Sequence, residues 1–219
     1  MANNKFPLLK LSKSIDADIG IGALIIFIAM ILIAGISASV MIQTMNNLQQ
    51  QAVLTSEETL KEISSGVRVT YVSGYVSNST ISQLAIFVSP TTASDDIDLT
   101  YAMLSLSDSS SKVILNYTNS CFNAGVQNGL FGTLNTSVLT SSQYGILVIR
   151  DIDGSCTATS PIINDEDLVV LVVNTSSCFS GISTRTDVTG EIYPEHGMRG
   201  MIRFTTPSSF VNNIIDLQP

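Results

Sequence analysis

No charged side chain occurs between Asp18 and Glu57, and within that interval Ile19–Ile42 is almost wholly apolar. This run limits the fold more than any other feature. Crossing a bilayer as a helix takes about 20 apolar residues, and the run exceeds that. It is longer than the roughly 7–15 residues of a secretory h-region. Lys5, Lys10 and Lys13 precede it, and no Lys or Arg follows until Lys61. That asymmetry predicts a cytoplasmic N-terminus with the remainder outside the membrane.

Small residues are spread through the run. Ala34 and Ala38, and Gly35 and Ser39, have the spacing that lets helix backbones approach closely. After Met41 the helical pattern continues but changes character. Gln43, Thr44, Asn46, Asn47 and Gln49–Gln51 enter, while Met45, Leu48, Ala52 and Leu54 persist. Thr55-Ser-Glu-Glu58 has the form of a capping box, and Gly66 is placed to terminate a helix. One helix from about Ile19 to Ser65, with a bend near Thr55, would be on the order of 70 Å long. A membrane needs half of it. The neutral, amide-rich half is suited to packing against copies of itself.

From Val67 onward the period changes. Val67, Val69 and Tyr71 alternate with Arg68 and Thr70. Short apolar runs follow at 84–88, 99–106, 113–117, 144–149, 168–173, 188–193, 201–204 and 214–217, separated by Ser, Asn, Gly, Asp and Pro. That pattern predicts an all-β sandwich or barrel. The unbroken Leu168–Val173 run should be a central strand covered on both faces. The expected class is α+β: a long N-terminal hydrophobic helix, then an all-β head.

Composition excludes several functions. The formal net charge is −8, with only 10 Lys and Arg, so the basic footprint of a nucleic-acid binder is missing. An acidic surface rich in hydroxyls suits the cell exterior. Four N-x-[ST] sequons, at Asn78, Asn116, Asn135 and Asn174, all follow the apolar run and are candidates for N-linked glycans. Cys121, Cys156 and Cys178 are an odd count, compatible with one disulfide between two of them or with three thiols. No nucleophile, Walker or dinucleotide motif occurs, and the single histidine, His196, sits in a turn-like Pro194-Glu-His-Gly197, so no catalytic residue is expected. Acidic residues cluster at Asp95, Asp96 and Asp98, and again at Asp151, Asp153, Asp165 and Asp167. Closely spaced loop carboxylates hold calcium in some proteins, and the second cluster is the better candidate for a structural Ca2+. No cofactor is otherwise required.

The stretch Asp18-Ile-Gly-Ile-Gly-Ala-Leu-Ile-Ile-Phe-Ile-Ala-Met30, continued to Leu48-Gln-Gln-Gln-Ala52, resembles the mature N-terminus of archaeal flagellins (archaellins). Gly190-Glu-Ile-Tyr-Pro-Glu-His-Gly197, Thr206-Pro207 and Leu217-Gln-Pro219 resemble the archaellin tail. The resemblance implies a type IV pilin-like subunit of the archaellum filament, serving swimming motility and surface attachment. It implies a leader, residues 1–17, cut between Ala17 and Asp18 by a prepilin-type signal peptidase. The family usually has a basic residue and glycine before the cut, whereas this chain has Ser14-Ile-Asp-Ala17. Residues 18–66 would form the filament core, with Gly20, Gly22, Phe27, Ala34, Gly35 and Ala38 packing helix to helix, and 67–219 the glycosylated exterior. The precursor would sit in the membrane before assembly. Its partners would be copies of itself, related archaellins, and the archaellum motor and platform. Competing readings are an adhesive archaeal type IV pilin and a membrane-anchored surface β-domain. Bacterial-style pilins carry a glutamate five residues into the mature chain, where this sequence has Gly22. Ordinary secretion with cleavage after Ser39 is a further alternative.

Overall fold

A computed structural model describes residues 9–92, 94–164 and 166–218, with side chains from residue 19 onward. Residues 1–8 of the expected leader, Asp165 and Pro219 lie outside the described residues. The apolar run belongs to one uninterrupted helix, α1 (Leu9–Ser64). Ala17 and Asp18 lie within its backbone. The helix passes through Thr55 without a break, so the Thr55–Glu58 stretch starts no new helix. The chain divides into two compact units, Met1–Ser56 and Glu57–Pro219. The last turns of α1 therefore belong with the β-structure.

The second unit is built on β1 (Val67–Ser77), β2 (Thr80–Pro90), β3 (Ile97–Asp98), β4 (Met103–Ser107), β5 (Lys112–Asn123), β6 (Gln143–Arg150), β7 (Ile162–Ile163), β8 (Leu168–Asn174), β9 (Asp187–Tyr193), β10 (Gly200–Thr205) and β11 (Ile214–Gln218), with a short helix, α2 (Thr175–Phe179), after β8. Nine strands form one sheet in the order β10-β9-β4-β5-β6-β8-β2-β1-β11, and β3 and β7 make a separate pair. The sheet is antiparallel except where β5 meets β6. It curls until its ends approach: the Arg203 N–H on β10 donates to Gln218 Oε1 on β11 at 3.0 Å, and β10 also lies against β1. The expected sandwich or barrel thus takes the form of a single rolled sheet. Curling suits strongly twisted antiparallel strands and brings both edges under cover.

Strand β8 is central, paired to β6 on one side and β2 on the other. Its alternation feeds two clusters. Val169, Leu171 and Val173 face the main core with Leu84, Ile86, Tyr144 and Ile146. Val170 and Val172 face a second cluster with Ala85, Leu147, Leu134 and Leu139. An unbroken apolar run is what a strand covered on both faces requires.

Two details differ from the pattern in the sequence. The 99–106 run begins as a turn, and only Met103–Ser107 is strand. Asp98 Oδ1 accepts the Thr100 N–H at 2.8 Å, a local bond that bends the chain. The Leu99 and Ala102 carbonyls then share the buried Tyr144 hydroxyl at 3.2 and 3.0 Å. The β1–β2 hairpin turns on Asn78 and Ser79, at φ 52° and 64°. Two consecutive left-handed residues match the twist of antiparallel strands.

Candidate assembly surfaces

Three features outside the core are available for work: the surface of α1, the collar that receives its C-terminal end, and the polar loops of the head.

The apolar side chains of α1 from Ile19 onward are exposed on every side of the helix. Leu24, Ile25, Ile26, Phe27 and Ile28 are all at least half as exposed as they can be or nearly so. The most apolar 18-residue stretch of the helix has a mean hydropathy of 2.9. Phe27, Ala34 and Ala38 share this exposure. A Cβ on Gly20, Gly22 or Gly35 would meet nothing within 4 Å. A glycine inside a helix costs about 1 kcal/mol relative to alanine. Since nothing in the chain needs that space, the reason for these glycines lies outside it. Farther along, the amides of Gln43, Asn46, Asn47 and Gln49–Gln51 are exposed and make no hydrogen bond to a described residue. Thr44 turns its hydroxyl back onto the Val40 carbonyl at 2.9 Å.

The collar joins three distant pieces of sequence. The Ser65 carbonyl accepts the Met198 N–H at 2.8 Å, and the Met198 carbonyl accepts the Val67 N–H at 3.0 Å. Gly66 carbonyl accepts Thr91 N–H at 2.8 Å, and the Asp95 N–H donates to the buried Ser65 hydroxyl at 3.1 Å. Glu62 accepts the Gly197 N–H at 3.3 Å, and Lys61 pairs with Asp95 at 3.3 Å on the surface. Gly66 follows directly on the end of α1, as its position in the sequence predicts, but its φ is not positive. Its smallness is used for close approach instead: a Cβ there would lie 2.7 Å from Met198 Cβ. Gly197 does have a positive φ, 87°, and a Cβ on it would run into the Ser65 carbonyl. The Pro194–Gly197 stretch is therefore the turn that grips the end of α1. The sequence showed the turn but not its target. The usable signal was the pair of glycines, one after the helix and one in the late turn.

The acidic loops separate in role. Asp95 and Asp98 serve the collar and the Asp98 turn. Asp151, Asp153 and Asp167 converge, with one oxygen from each within 4.8 Å of the others. Asp165 lies outside the described residues. Asp167 is only 1 % exposed. It accepts the N–H groups of Ile152 and Asn164 at 3.4 and 3.1 Å. Burial raises its pKa, and Asp151 and Asp153 push the same way. Asp153 is held at about 2, chiefly by the Asn164 and Ser155 side chains. Three oxygen donors with a formal charge of −3 are a donor set that fits a hard cation such as Ca2+.

Of the two arrangements open to the cysteines, the structure has the second: all three are free thiols, and no two of them form the possible disulfide. Cys121 belongs to the second cluster and Cys156 to the main one. Cys178 donates to the Ser141 carbonyl at 3.7 Å. Burial raises all three thiol pKa values, that of Cys156 to about 12 with help from Asp151 and Asp167. They stay protonated and unreactive near neutral pH. Among the sequons, Asn78, Asn116 and Asn135 are exposed. Asn174 is half-buried; its Nδ2 donates to the Thr136 carbonyl at 3.0 Å and its Oδ1 accepts the Ser177 N–H at 3.3 Å.

Residues 17–204 match the family model described as archaeal-type flagellin. The chain is 39% identical over 205 residues to Flagellin B2 of Methanocaldococcus jannaschii, covering 91% of this chain and 94% of that one. It is 34% identical to Flagellin B3 of Thermococcus kodakarensis, covering 91% and 96%. Its structure is similar to the crystal structure of archaeal flagellin FlaB1 from Methanocaldococcus jannaschii, with a TM-score of 0.65 and 34% identity over 70% of this chain and 97% of that one. A chain of the archaeal flagellum of Methanospirillum hungatei strain JF1 shares the fold at a TM-score of 0.62 and 15% identity, over 91% and 99%.

Gly197→Ala should lower head stability by about 1–3 kcal/mol, because it strains a left-handed turn and displaces Ser65. Urea unfolding followed by circular dichroism measures this, and an unchanged midpoint would rule out the grip assigned to this turn.

Proposed function

The chain belongs to the archaeal-type flagellin family, and on that premise we propose how it works as a subunit of the archaellum filament. It is a structural protein, not an enzyme. The observation that carries the mechanism is the surface of α1: apolar on all sides, with glycines facing open space. Such a helix is stable in lipid, and equally so among like helices. The precursor waits in the membrane, a prepilin-type peptidase cuts between Ala17 and Asp18, and the helix then leaves lipid for a bundle of its copies. Moving between two apolar surroundings gains little from water, so close packing must select the bundle. Gly20, Gly22, Ala34, Gly35 and Ala38 permit that approach, and Phe27 fills space between helices. The amides at 43–51 pair across copies beyond the lipid depth. The motor and platform turn the finished filament, and related archaellins can share its lattice. Its known relatives are flagellins, which favours an archaellum over an adhesive pilus.

The head forms the exterior. Asn78 and Asn135 sit on exposed turns where a glycan meets no obstacle, whereas the amide of Asn174 is already tied down. Asp151, Asp153 and Asp167 fit a calcium ion, which would offset the burial of the Asp167 carboxylate and the smaller repulsion from Asp151 and Asp153 that together raise its pKa.

Ala34→Leu with Ala38→Leu should leave membrane insertion intact and prevent filament assembly. Normal filaments from that double variant would defeat the packing mechanism. Mass spectrometry of sheared filaments should find an N-terminal peptide starting at Asp18, with glycans on Asn78 and Asn135 and none on Asn174. A start at Val40 would mean ordinary secretion. Millimolar calcium should raise the unfolding temperature of the wild-type protein and do so far less for Asp153→Asn; equal shifts would exclude binding at this cluster.

A further inference from the structure

We propose that the outer face of β10, β9, β4 and β5 is a seat for the Val211 loop of a neighbouring copy, giving a head-to-head contact repeated along the filament. This rests on the filament reading above.

The seat is an apolar hollow where a solvent-facing sheet surface would ordinarily be polar. Met103, Ile114 and Tyr193 line a hollow of about 140 Å³. A second of about 190 Å³ adjoins it beside Met201. Strand register sets these side chains next to one another: Met103 lies opposite Tyr193, Ser105 opposite both Ile114 and Glu191, and Glu191 opposite Met201. The floor is low because Ser105 is small, and Gly190 offers only backbone to it: a Cβ on Gly190 would turn inward against the Leu106 and Ile202 side chains of the core. Met201 is 72% exposed. Arg199 lies 4.6 Å over the Tyr193 ring and pairs with Glu191 at 3.6 Å, which fixes the ring at the rim.

The matching projection is on the loop between β10 and β11. Val211 is 88% exposed, the most exposed large apolar residue among those described. Its exposure is imposed by the loop and is not fraying. Phe210, one residue before, packs against the core. Two residues later the Asn213 carbonyl accepts the Val76 N–H at 2.7 Å. Ile214 extends the apolar tip, and Asp216 follows it on the same side of β11.

Two observations make a second copy the occupant. Seat and projection are different patches of one chain, and a contact between unlike patches propagates into an open helix, whereas a self-complementary patch closes into a pair. The charges also match. Three of the seven Lys and Arg residues after Ser56 border the seat: Arg199, bound to Glu191, and Lys112 and Arg203, whose side chains have no partner among the described residues. The loop from Pro207 to Asn213 is uncharged and leads to Asp216. The other candidate occupant is a glycan on Asn116, which lies opposite Met103 in the β4–β5 register.

The test uses the full chain in filaments sheared from cells. Ile114→Cys with Val211→Cys, treated with a short bis-maleimide, should give a ladder of covalent oligomers. The wild-type chain and each single variant should give none, since Cys121 and Cys156 are buried and Cys178 is half-buried. Val211→Lys should keep the thermal unfolding of the head and lose filaments. Filaments of the double-cysteine variant without a ladder, normal filaments from Val211→Lys, or full glycan occupancy at Asn116 would each overturn the contact. Absence of filaments from the wild-type chain would instead overturn the filament reading, and the contact with it.

Discussion

Among the described residues, the side chains of Ile19–Ile42 are exposed on every side of the helix, and the rest of the molecule is arranged around that fact. Fully exposing a Leu, Ile or Phe side chain to water forgoes about 1.5–3 kcal/mol each. With more than a dozen such residues on the helix, water is never its resting solvent. Lipid and a bundle of other helices are the two surroundings that suit such a surface, and the difference between them is small. A structure poised in this way needs selection by shape, which explains glycines and alanines at positions where the isolated chain gains nothing from them.

The head answers a different demand. It must fold outside the membrane on its own core while holding the last turns of α1 in a fixed register. The core is secured by β8, which feeds both clusters. The register is secured by backbone bonds: Ser65 and Val67 bracket Met198 in a reciprocal pair. Backbone bonds made through glycines leave no slack for side chains to shift. The end of the helix is thus held chiefly by main chain at Ser65, Gly66 and Gly197, with the exposed Lys61–Asp95 pair adding little.

Much of this was legible in the residues. The helix announced itself by its lack of charge, β8 by its unbroken apolar run, and most strands by alternation. The 99–106 segment misled because Asp98 and Thr100 make a local turn that outranks apolar pattern. Sheet order was not legible, since nothing local says that β4 pairs with β9 or that β5 runs parallel to β6. The collar was hidden for the same reason: the turn at Gly197–Met198 lies more than 130 residues from the helix end it holds, and the Thr91–Asp95 segment about 30. Small-residue spacing marked Ala34, Gly35, Ala38 and Ser39 as candidates for helix packing, but the cysteines gave no clue to whether they pair, because burial in separate clusters is a property of the fold alone.

Strand order has a consequence for how the protein is made. β1, the first strand synthesised, is bordered by β11, the last, with Val72 opposite Gln218 and Tyr75 opposite Ile214. The sheet cannot finish until β11 has been synthesised. Contacts this far apart in sequence also form slowly. The hydrophobic helix is therefore made long before the head is complete, and until β11 is in place the outer edge of β1 stays open.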